Sequence, residues 1–250
     1  MDVLPSIEPA YDAFAWFYNR YWSERFHQVA FPALQRIFLA HFSGKAKVLD
    51  VCCGTGHLAR LLVSRGLRVT GIDVSPEMVR YARQNAPDAE FIVADCREFC
   101  PPGRFHGALC TFDSLNHILT PHELRQVFAN VGRALRKGGL FAFDVLLEDS
   151  YRTRWADHYA LVRDDHVLVI AGDSFDETSK LACCRITMFR LHGGTWCRSD
   201  TTVTERCYAA EEITRALNAE GFGDLTFYDA RDLGMQGDLG EGRVFVTARH

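Results

Sequence analysis

A glycine turn and the acidic residues around it could together hold a nucleotide-like ligand. The turn is the stretch GTGHLA, which begins at Gly54, has Gly56 as its second glycine and fits the pattern G-x-G-x-x-A. Glycines let a strand turn tightly into a helix whose N-terminus can face a ligand. This pattern alone does not identify the ligand, so the neighbouring side chains must distinguish between the candidate ligands.

Three aspartates lie at or near the ends of successive predicted strands. Asp50 lies four residues before Gly54, where its carboxylate could accept hydrogen bonds from an ammonium group, whereas a pyrophosphate would gain nothing from that charge. Asp73 ends the next strand, RVTGID, where a carboxylate accepts both hydroxyls of a ribose. Asp95 ends FIVAD and could accept from an adenine amino group while the backbone N–H of Cys96 donates to the ring. The three acids together favour a cationic, adenosine-containing ligand.

The elements that must position these residues alternate between short apolar runs and helix-length segments. The candidate strands are KVLDVCC, LRVTGID, AEFIVAD, FHGALCTFD and GGLFAFDVLL. Ser75 before Pro76 and Thr120 before Pro121 are predicted helix N-caps. This order is typical of βαβ units that build a parallel sheet. Farther along, HVLVIAG, KLACCRITMF and SDTTVTERCY predict antiparallel strands, and a helix then precedes DLTFYDA and GRVFVTAR.

These motifs make the sequence resemble the class I S-adenosylmethionine-dependent methyltransferases, over most of the chain by element order. The residues that carry the resemblance are VLDVCCGTGHLA, VTGIDVSPEMV, FIVADCREF and FHGALCTFDSLNHI. The resemblance implies an α/β fold with a Rossmann-like seven-stranded sheet that is mostly parallel and has an antiparallel last strand. Helices cover both faces of this sheet, and the chain adds an antiparallel β insertion. The resemblance also implies S-adenosylmethionine as cofactor and S-adenosylhomocysteine as product, bound by Asp50, Gly54, Gly56, Asp73, Asp95 and Cys96. Met78 matches a position that packs on the adenine.

We expect a single methyltransferase domain made of four parts. Residues 1–45 form a helical N-terminal cap, 46–150 the cofactor-binding core, 159–208 the antiparallel β insertion, and 209–250 the completion of the core sheet. The insertion is either a lid over the substrate or a dimer interface. The cap, helical from Ala10 to Phe42, is rich in aromatic residues, of which Tyr11, Tyr18 and Trp22 are candidates to cover the cofactor because aromatic faces attract a sulfonium.

The segment DSLNHI follows the fourth predicted strand and supplies Asp113, Asn116 and His117 where an acceptor must enter. His117 could take a proton from an amine or a hydroxyl, because imidazole titrates near neutral pH, or it could only pack and hydrogen-bond. Asp113 could instead cap the next turn. FAWFYNRY read with SLNHI is similar to the N-methyltransferases of nucleotide-linked amino sugars, and this similarity places Tyr18 and His117 at the methyl-transfer site.

Composition limits the partners. The chain has 250 residues and a net charge of -4, without a basic stripe, so we expect no nucleic-acid partner. It has no signal peptide and no apolar stretch that could span a bilayer, so we expect a soluble, cytoplasmic protein without a membrane partner. A homodimer remains open.

Nine cysteines without a C-x-x-C pair predict reduced, buried thiols and no metal site. A thiol-dependent reaction would have to use Cys52, Cys53, Cys96, Cys100 or Cys110. The leading hypothesis is therefore methyl transfer to nitrogen or oxygen of a small molecule. Two alternatives remain open, namely a nicotinamide-dependent oxidoreductase and a non-catalytic S-adenosylmethionine-binding protein.

Overall fold

A seven-stranded sheet lies at the centre of the fold. The computed structural model describes residues 7–99, 104–154 and 158–250. In these ranges the sheet has the order β10-β11-β5-β4-β1-β2-β3. The strands are β1 (Lys47–Val51), β2 (Arg68–Asp73), β3 (Glu90–Val93), β4 (Phe105–Cys110), β5 (Leu135–Leu146), β10 (Gly223–Asp229) and β11 (Arg243–Arg249). β11 runs antiparallel to both neighbours and the other adjacent pairs are parallel, which confirms the predicted sheet.

Two of the helices between the strands begin directly after the predicted capping residues. Those of the core are α3 (His57–Ser64), α4 (Pro76–Asn85), α5 (Pro121–Ala134) and α7 (Ala210–Ala219), with the short α6 (Glu148–Arg154) after β5. The hydroxyl of Ser75 accepts from the backbone N–H of Met78 at the start of α4, and Thr120 accepts from that of Glu123 at the start of α5. These caps fix where each helix begins, beside the carboxyl edge of the sheet.

The N-terminal segment is two helices rather than the one continuous stretch that the sequence predicts. α1 (Ile7–Tyr21) and α2 (Ser23–Ile37) meet at Trp22. The buried aromatic rings Phe14 and Phe17 of α1 pack on the second sheet, while α2 packs Phe26 and the residues after it against the main sheet. The apolar residues of α1 thus face one sheet and those of α2 the other, while helical hydrogen bonds from Trp22 to Tyr18 and from Phe26 to Trp22 continue through the junction.

The predicted insertion forms a separate antiparallel sheet of order β6-β7-β8-β9. Its strands are β6 (His158–Val162), β7 (His166–Asp176), β8 (Leu181–His192) and β9 (Thr195–Arg206). The sequence predicts the last three and misses β6, which is short and mostly exposed. The inner face of this sheet carries Leu168, Ile186 and Met188, which are buried against α1. α1 therefore lies between the two sheets.

Within the described residues, no helix combines the length and the apolar character that crossing a bilayer requires.

Candidate functional site

A cavity of about 730 Å³ lies where the carboxyl edge of the main sheet, α1 and the antiparallel sheet meet. Its lining contains most of the predicted site residues, namely Tyr11, Tyr18, Gly54, Asp73, Met78, Asp95, Cys96 and His117. Asp50 and Gly56 do not line it. The fold therefore brings residues from both ends of the chain to one space.

The glycine turn after β1 requires a left-handed backbone. Gly54 has a φ of +51° and Gly56 a φ of +76°, a backbone region that residues with a side chain rarely adopt. A Cβ on Gly54 would lie 3.3 Å from Tyr18 Cε1, so this glycine makes room for the ring that covers the turn. A Cβ on Gly56 would lie 2.8 Å from Ala82 Cα, so this glycine lets α3 approach α4. The second glycine thus serves packing in the structure, outside the cavity wall.

Asp73 holds the turn from the neighbouring strand. Its carboxylate accepts from the backbone N–H of Gly54 at 2.8 Å and from that of Ser75 at 3.0 Å. Burial raises the pKa of Asp73 to about 6, although these hydrogen bonds act in the opposite direction. Each carboxylate oxygen can accept a further bond, so Asp73 can receive ligand hydroxyls on the cavity side.

Asp50 is buried beneath the turn and is 2% exposed. Its Oδ2 has no hydrogen-bond partner among the described residues. Burial, followed by the charge of Asp73, raises the pKa of Asp50 to about 8. A buried, unsatisfied carboxyl oxygen is costly, and a nearby cation would relieve that cost.

Asp95 is engaged by Arg97 rather than open to a ligand. Its Oδ1 accepts from the backbone N–H and from Nε of Arg97, at 2.8 and 3.0 Å, and its Oδ2 accepts from Nε and Nη2. Nη1 of the same guanidinium donates to Glu123 at 2.6 Å. Sequence patterns do not reveal this arrangement. Because both side chains line the cavity, an adenine amino group that binds Asp95 would compete with the guanidinium.

The cysteines near the turn are poor nucleophiles in this structure. Cys52 and Cys96 line the cavity with their Sγ atoms 3.8 Å apart. A hydrogen bond with Cys110 raises the pKa of Cys52, and burial raises that of Cys53, so thiolates are scarce at neutral pH. Over the described ranges, no group of three or more His, Cys, Asp or Glu is arranged to hold a metal ion. Cys100, the remaining candidate of a thiol-dependent reaction, lies outside the described residues.

His117 lines the cavity from the short turn after β4. Its Nδ1 lies 3.2 Å from the carbonyl oxygen of Thr204, and its Nε2 lies 2.8 Å from the hydroxyl of Tyr11. Because a carbonyl can only accept, the proton is on Nδ1 and Nε2 accepts from Tyr11. Burial lowers the pKa of His117, so the ring is neutral at neutral pH. It can therefore take up one proton on Nε2.

Tyr18 lies beside this histidine site and over Gly54. Burial, followed by the charge of Asp113, holds the pKa of Tyr18 well above its usual value, so the phenol stays protonated. Its ring contacts those of Tyr11 and Phe112, at centroid distances of 6.3 and 5.8 Å. Tyr18 is thus a fixed, neutral hydroxyl and aromatic wall rather than a base.

The neighbours of His117 in DSLNHI have structural roles. Asn116 is fully buried, donates to the carbonyls of Leu146 and Arg206, and accepts from the backbone N–H of Leu146. Asp113 makes no side-chain cap at the next turn and instead accepts from Arg243 at 2.9 Å. These contacts join the end of β5, β9 and β11 around the turn that carries His117.

Arg243 is a buried cation that the sequence analysis does not single out. It is 2% exposed and donates to both Asp113 and Asp144, while Asp144 accepts from the backbone N–H groups of Phe112 and Asp113. Two carboxylates surround it, so it adds little positive charge to the cavity. Asp144 lies in the apolar strand FAFDVL, and an acid in such a run is the one available sequence signal for this network.

Glu205 is a second cavity residue outside the predicted set. It belongs to β9 and is 3% exposed, with Oε1 3.6 Å from His117 Nε2 and Oε2 accepting from the hydroxyl of Tyr151 at 2.8 Å. Val203, two residues earlier, is buried on the same side of the strand, as alternation requires. An acid in phase with a buried valine was the signal that could have identified it.

Comparison with known proteins gives one family. Residues 48–139 match the family model described as a methyltransferase domain. The chain is 30% identical to the putative methyltransferase YqeM of Bacillus subtilis over 183 residues, which cover 71% of this chain and 74% of that protein. The next two relatives match over 57% and 53% of their own length.

Two further matches have informative names. A dTDP-3-amino-3,6-dideoxy-alpha-D-glucopyranose N,N-dimethyltransferase of Streptomyces fradiae is 40% identical over 85 residues, 34% of this chain and 33% of that protein. The solved S-adenosylmethionine-dependent methyltransferase of Clostridium acetobutylicum superposes with a TM-score of 0.77 at 20% identity, covering 96% of this chain and 98% of that one. This superposition shows the same fold.

Proposed function

Because the chain belongs to the S-adenosylmethionine-dependent methyltransferases, we propose that it methylates a nitrogen or oxygen atom of a small molecule bound in the central cavity. The observation that carries the proposal is the continuity of this cavity. It extends from the acidic strand ends at Asp73 and Asp95 to the neutral His117 beneath the antiparallel sheet. One space can therefore hold a cofactor and an acceptor in line, which is what a displacement reaction requires.

The residues present fit S-adenosylmethionine. We propose that the unpartnered Oδ2 of Asp50, which lies beneath the turn rather than in the cavity lining, accepts from its ammonium group, and that the backbone-held carboxylate of Asp73 accepts from its ribose hydroxyls. We propose that Gly54, Met78, Cys96 and Tyr11 contact the rest of the molecule, that Gly56 acts by packing, and that Arg97 leaves Asp95 to the adenine. When bound, this cofactor supplies a methyl group on a positively charged sulfur.

The side chains of this protein position the acceptor, exclude water from the cavity and accept a proton. Aromatic rings of Tyr18, Trp22 and Phe112 wall the cavity and limit the access of water. His117 accepts the proton that the acceptor atom must lose, because its neutral ring presents Nε2 toward Tyr11. Tyr18 keeps its hydroxyl proton and orients the acceptor through a hydrogen bond.

We propose an amine nitrogen as the acceptor atom. Support comes from the Streptomyces fradiae relative, whose name describes N,N-dimethylation of an amino sugar. It also comes from the acidic surroundings of His117, where Asp113 and Glu205 line the cavity and the buried Arg243 is paired with two carboxylates. Such a site favours a substrate that arrives as an ammonium ion.

The antiparallel sheet is proposed to act as the lid of this cavity, within a single domain with the parts 1–45, 46–150, 159–208 and 209–250. Ile170, Cys184, Ile186 and Glu205 from this sheet line the cavity, which supports the lid over the dimer interface. Sedimentation analysis tests the alternative, because a dimer held through this sheet would dissociate when residues exposed on it, such as Val162, are made charged.

Calorimetric titration with S-adenosylmethionine, S-adenosylhomocysteine and NAD in parallel tests the cofactor. We expect binding of the first two alone. Mass spectrometry then follows methyl transfer to matched pairs of amines and alcohols, with His117→Ala as the variant. This variant should bind the cofactor as the wild type does and lose turnover. A wild-type protein that binds the cofactor and methylates nothing in an acceptor screen, including amino sugars, would favour the non-catalytic binding protein.

A further inference from the structure

Strand β9 contacts His117 with two consecutive residues. The carbonyl oxygen of Thr204 accepts from Nδ1, and the carboxylate of Glu205 lies 3.6 Å from Nε2. The first contact fixes which nitrogen carries the proton in the resting state. The second contact places the carboxylate of Glu205 beside Nε2, the ring nitrogen that can still accept a proton. Both contacts come from the antiparallel sheet rather than from the cofactor-binding core.

We propose that Glu205 is a positioning residue that supplies the counter-charge for the protonated form of His117. This inference rests on the proposed function, since it assigns the group that makes His117 a competent base. Glu205 acts through the imidazole, and its Oε2 is held in place by the hydroxyl of Tyr151 from α6. A carboxylate next to an imidazole stabilises the imidazolium that forms during proton transfer.

The proton step balances within these residues. The substrate nitrogen, which arrives as an ammonium, would first release one proton to the hydroxyl oxygen of Tyr11, which passes its own proton to Nε2 of His117. The lone pair freed in this way would then bond to the methyl carbon, and the electron pair of the broken carbon–sulfur bond would stay on sulfur. The result is an imidazolium with one N–H toward Thr204 and one toward Tyr11 and Glu205.

Other titratable and charged groups face His117 from each packed element. They are Tyr11 and Tyr18 of α1, Asp113 of the turn before it, Cys184 of β8, Tyr151 of α6 and Arg243 of β11. Burial lowers the pKa of His117 and the charge of Asp113 raises it, although the pairing of Asp113 with Arg243 partly compensates that charge. Glu205 is the acidic group within 4 Å of the His117 ring over the described parts of the chain. Its substitution is therefore the direct way to change this site.

The same charge selects among acceptors. A buried carboxylate at the proton-accepting end repels a substrate whose reacting group is next to a carboxylate or phosphate, and it attracts an ammonium. The proposal thus narrows the acceptor to amines without an anionic group beside the nitrogen. Glu205→Gln should reduce this preference without affecting the cofactor half of the cavity.

The test is an NMR titration of His117 in the ligand-free full-length protein, with imidazole nitrogens observed in the wild type, Glu205→Gln, Glu205→Asp and the exposed control Glu211→Gln. We expect Glu205→Gln to lower the pKa of His117 by one unit or more. Glu205→Asp should restore most of the difference, and the control should match the wild type. An unchanged pKa in a folded Glu205→Gln would overturn the proposal.

A second readout requires no substitution. In the wild type, the carboxyl carbon of Glu205 and the ring nitrogens of His117 should show the same inflection, because each group senses the charge of the other. Independent titrations would contradict the pairing even if the variant fails to fold. In turnover assays, Glu205→Gln should lower kcat at least tenfold and move the acidic limb of the pH profile to lower pH.

These outcomes separate the inference from the proposed function. If the protein transfers no methyl group but the two titrations are linked, the charge pair exists and the reaction assignment fails. If methyl transfer occurs and the titrations are independent, the reaction stands and the assignment of Glu205 fails.

Discussion

The substitution Asp50→Asn should stabilise the ligand-free protein at neutral pH. The wild-type carboxyl has a pKa near 8 in the folded state because it is buried beside Asp73, against an ordinary value of 3.8. Folding therefore takes up a proton at every pH between these two values, and stability falls as pH rises through that window. The amide of the variant does not bind a proton in this pH range, so the variant does not lose stability in this way as the pH rises.

The magnitude follows from the two pKa values. Within the window, each pH unit changes the free energy of unfolding by about 1.4 kcal/mol. Between pH 5 and pH 7, the stability of the variant relative to the wild type should therefore increase by about 2.7 kcal/mol. This difference does not depend on the cost of burying the amide, since that cost is the same at both pH values.

Urea unfolding of both proteins at several pH values measures this difference. The matched control is Asp232→Asn, an exposed aspartate for which we expect a flat difference. Calorimetry should show the opposite effect on ligand binding, because Asp50→Asn removes the carboxylate proposed to hold the ammonium group. A stability difference for Asp50→Asn that does not grow between pH 5 and pH 7 would refute the assignment of a protonated, buried carboxyl.

Three further substitutions test the packing around the site. Gly56→Ala should destabilise the fold by roughly 2 to 4 kcal/mol, because the backbone at this residue is left-handed and the new methyl would overlap α4. Thermal unfolding measures this destabilisation, and an unchanged Tm would contradict the reasoning. Arg243→Met should cost about 3 to 5 kcal/mol by leaving Asp113 and Asp144 buried without their cation, a cost that should shrink at acidic pH, where carboxylates are neutral. Asn116→Ala should cost about 2 kcal/mol in urea unfolding because it leaves buried backbone groups between β5 and β9 unsatisfied, and a neutral result would mean that water replaces the amide.

The fold was predictable from local signals. The apolar runs that end in Asp50, Asp73 and Asp95 gave the order of the parallel strands, and Ser75 and Thr120 marked helix starts that the structure contains. These features depend on residues within a few positions of each other. The division at Trp22 was missed because it accompanies a tertiary change, namely the packing of α1 on one sheet and of α2 on the other.

The site was predictable only where one segment carries the information. His117, Tyr18 and Asp73 were predicted because they follow strands or lie in an aromatic helix, and all three line the cavity. Glu205 was missed because its partner, His117, is 88 residues away in the sequence. The alternation of residues in β9 was used only to predict a strand, and not to predict which of its side chains are buried. Arg97 was missed for a different reason: motif matching assigns a ligand to Asp95 without asking which neighbour already holds it.

Helix α1 has a consequence for the order of events in turnover. Asn19 bonds to His57, Asp12 contacts Ser75, and Tyr21 contacts His166 of β7, so the helix is fastened to both halves of the molecule. The ring over the glycine turn and the proposed lid above the acceptor are therefore both attached to one helix. We expect a movement of this helix to open both, so that departure of the two products would be linked, and we expect this reopening rather than the transfer itself to be the slow step.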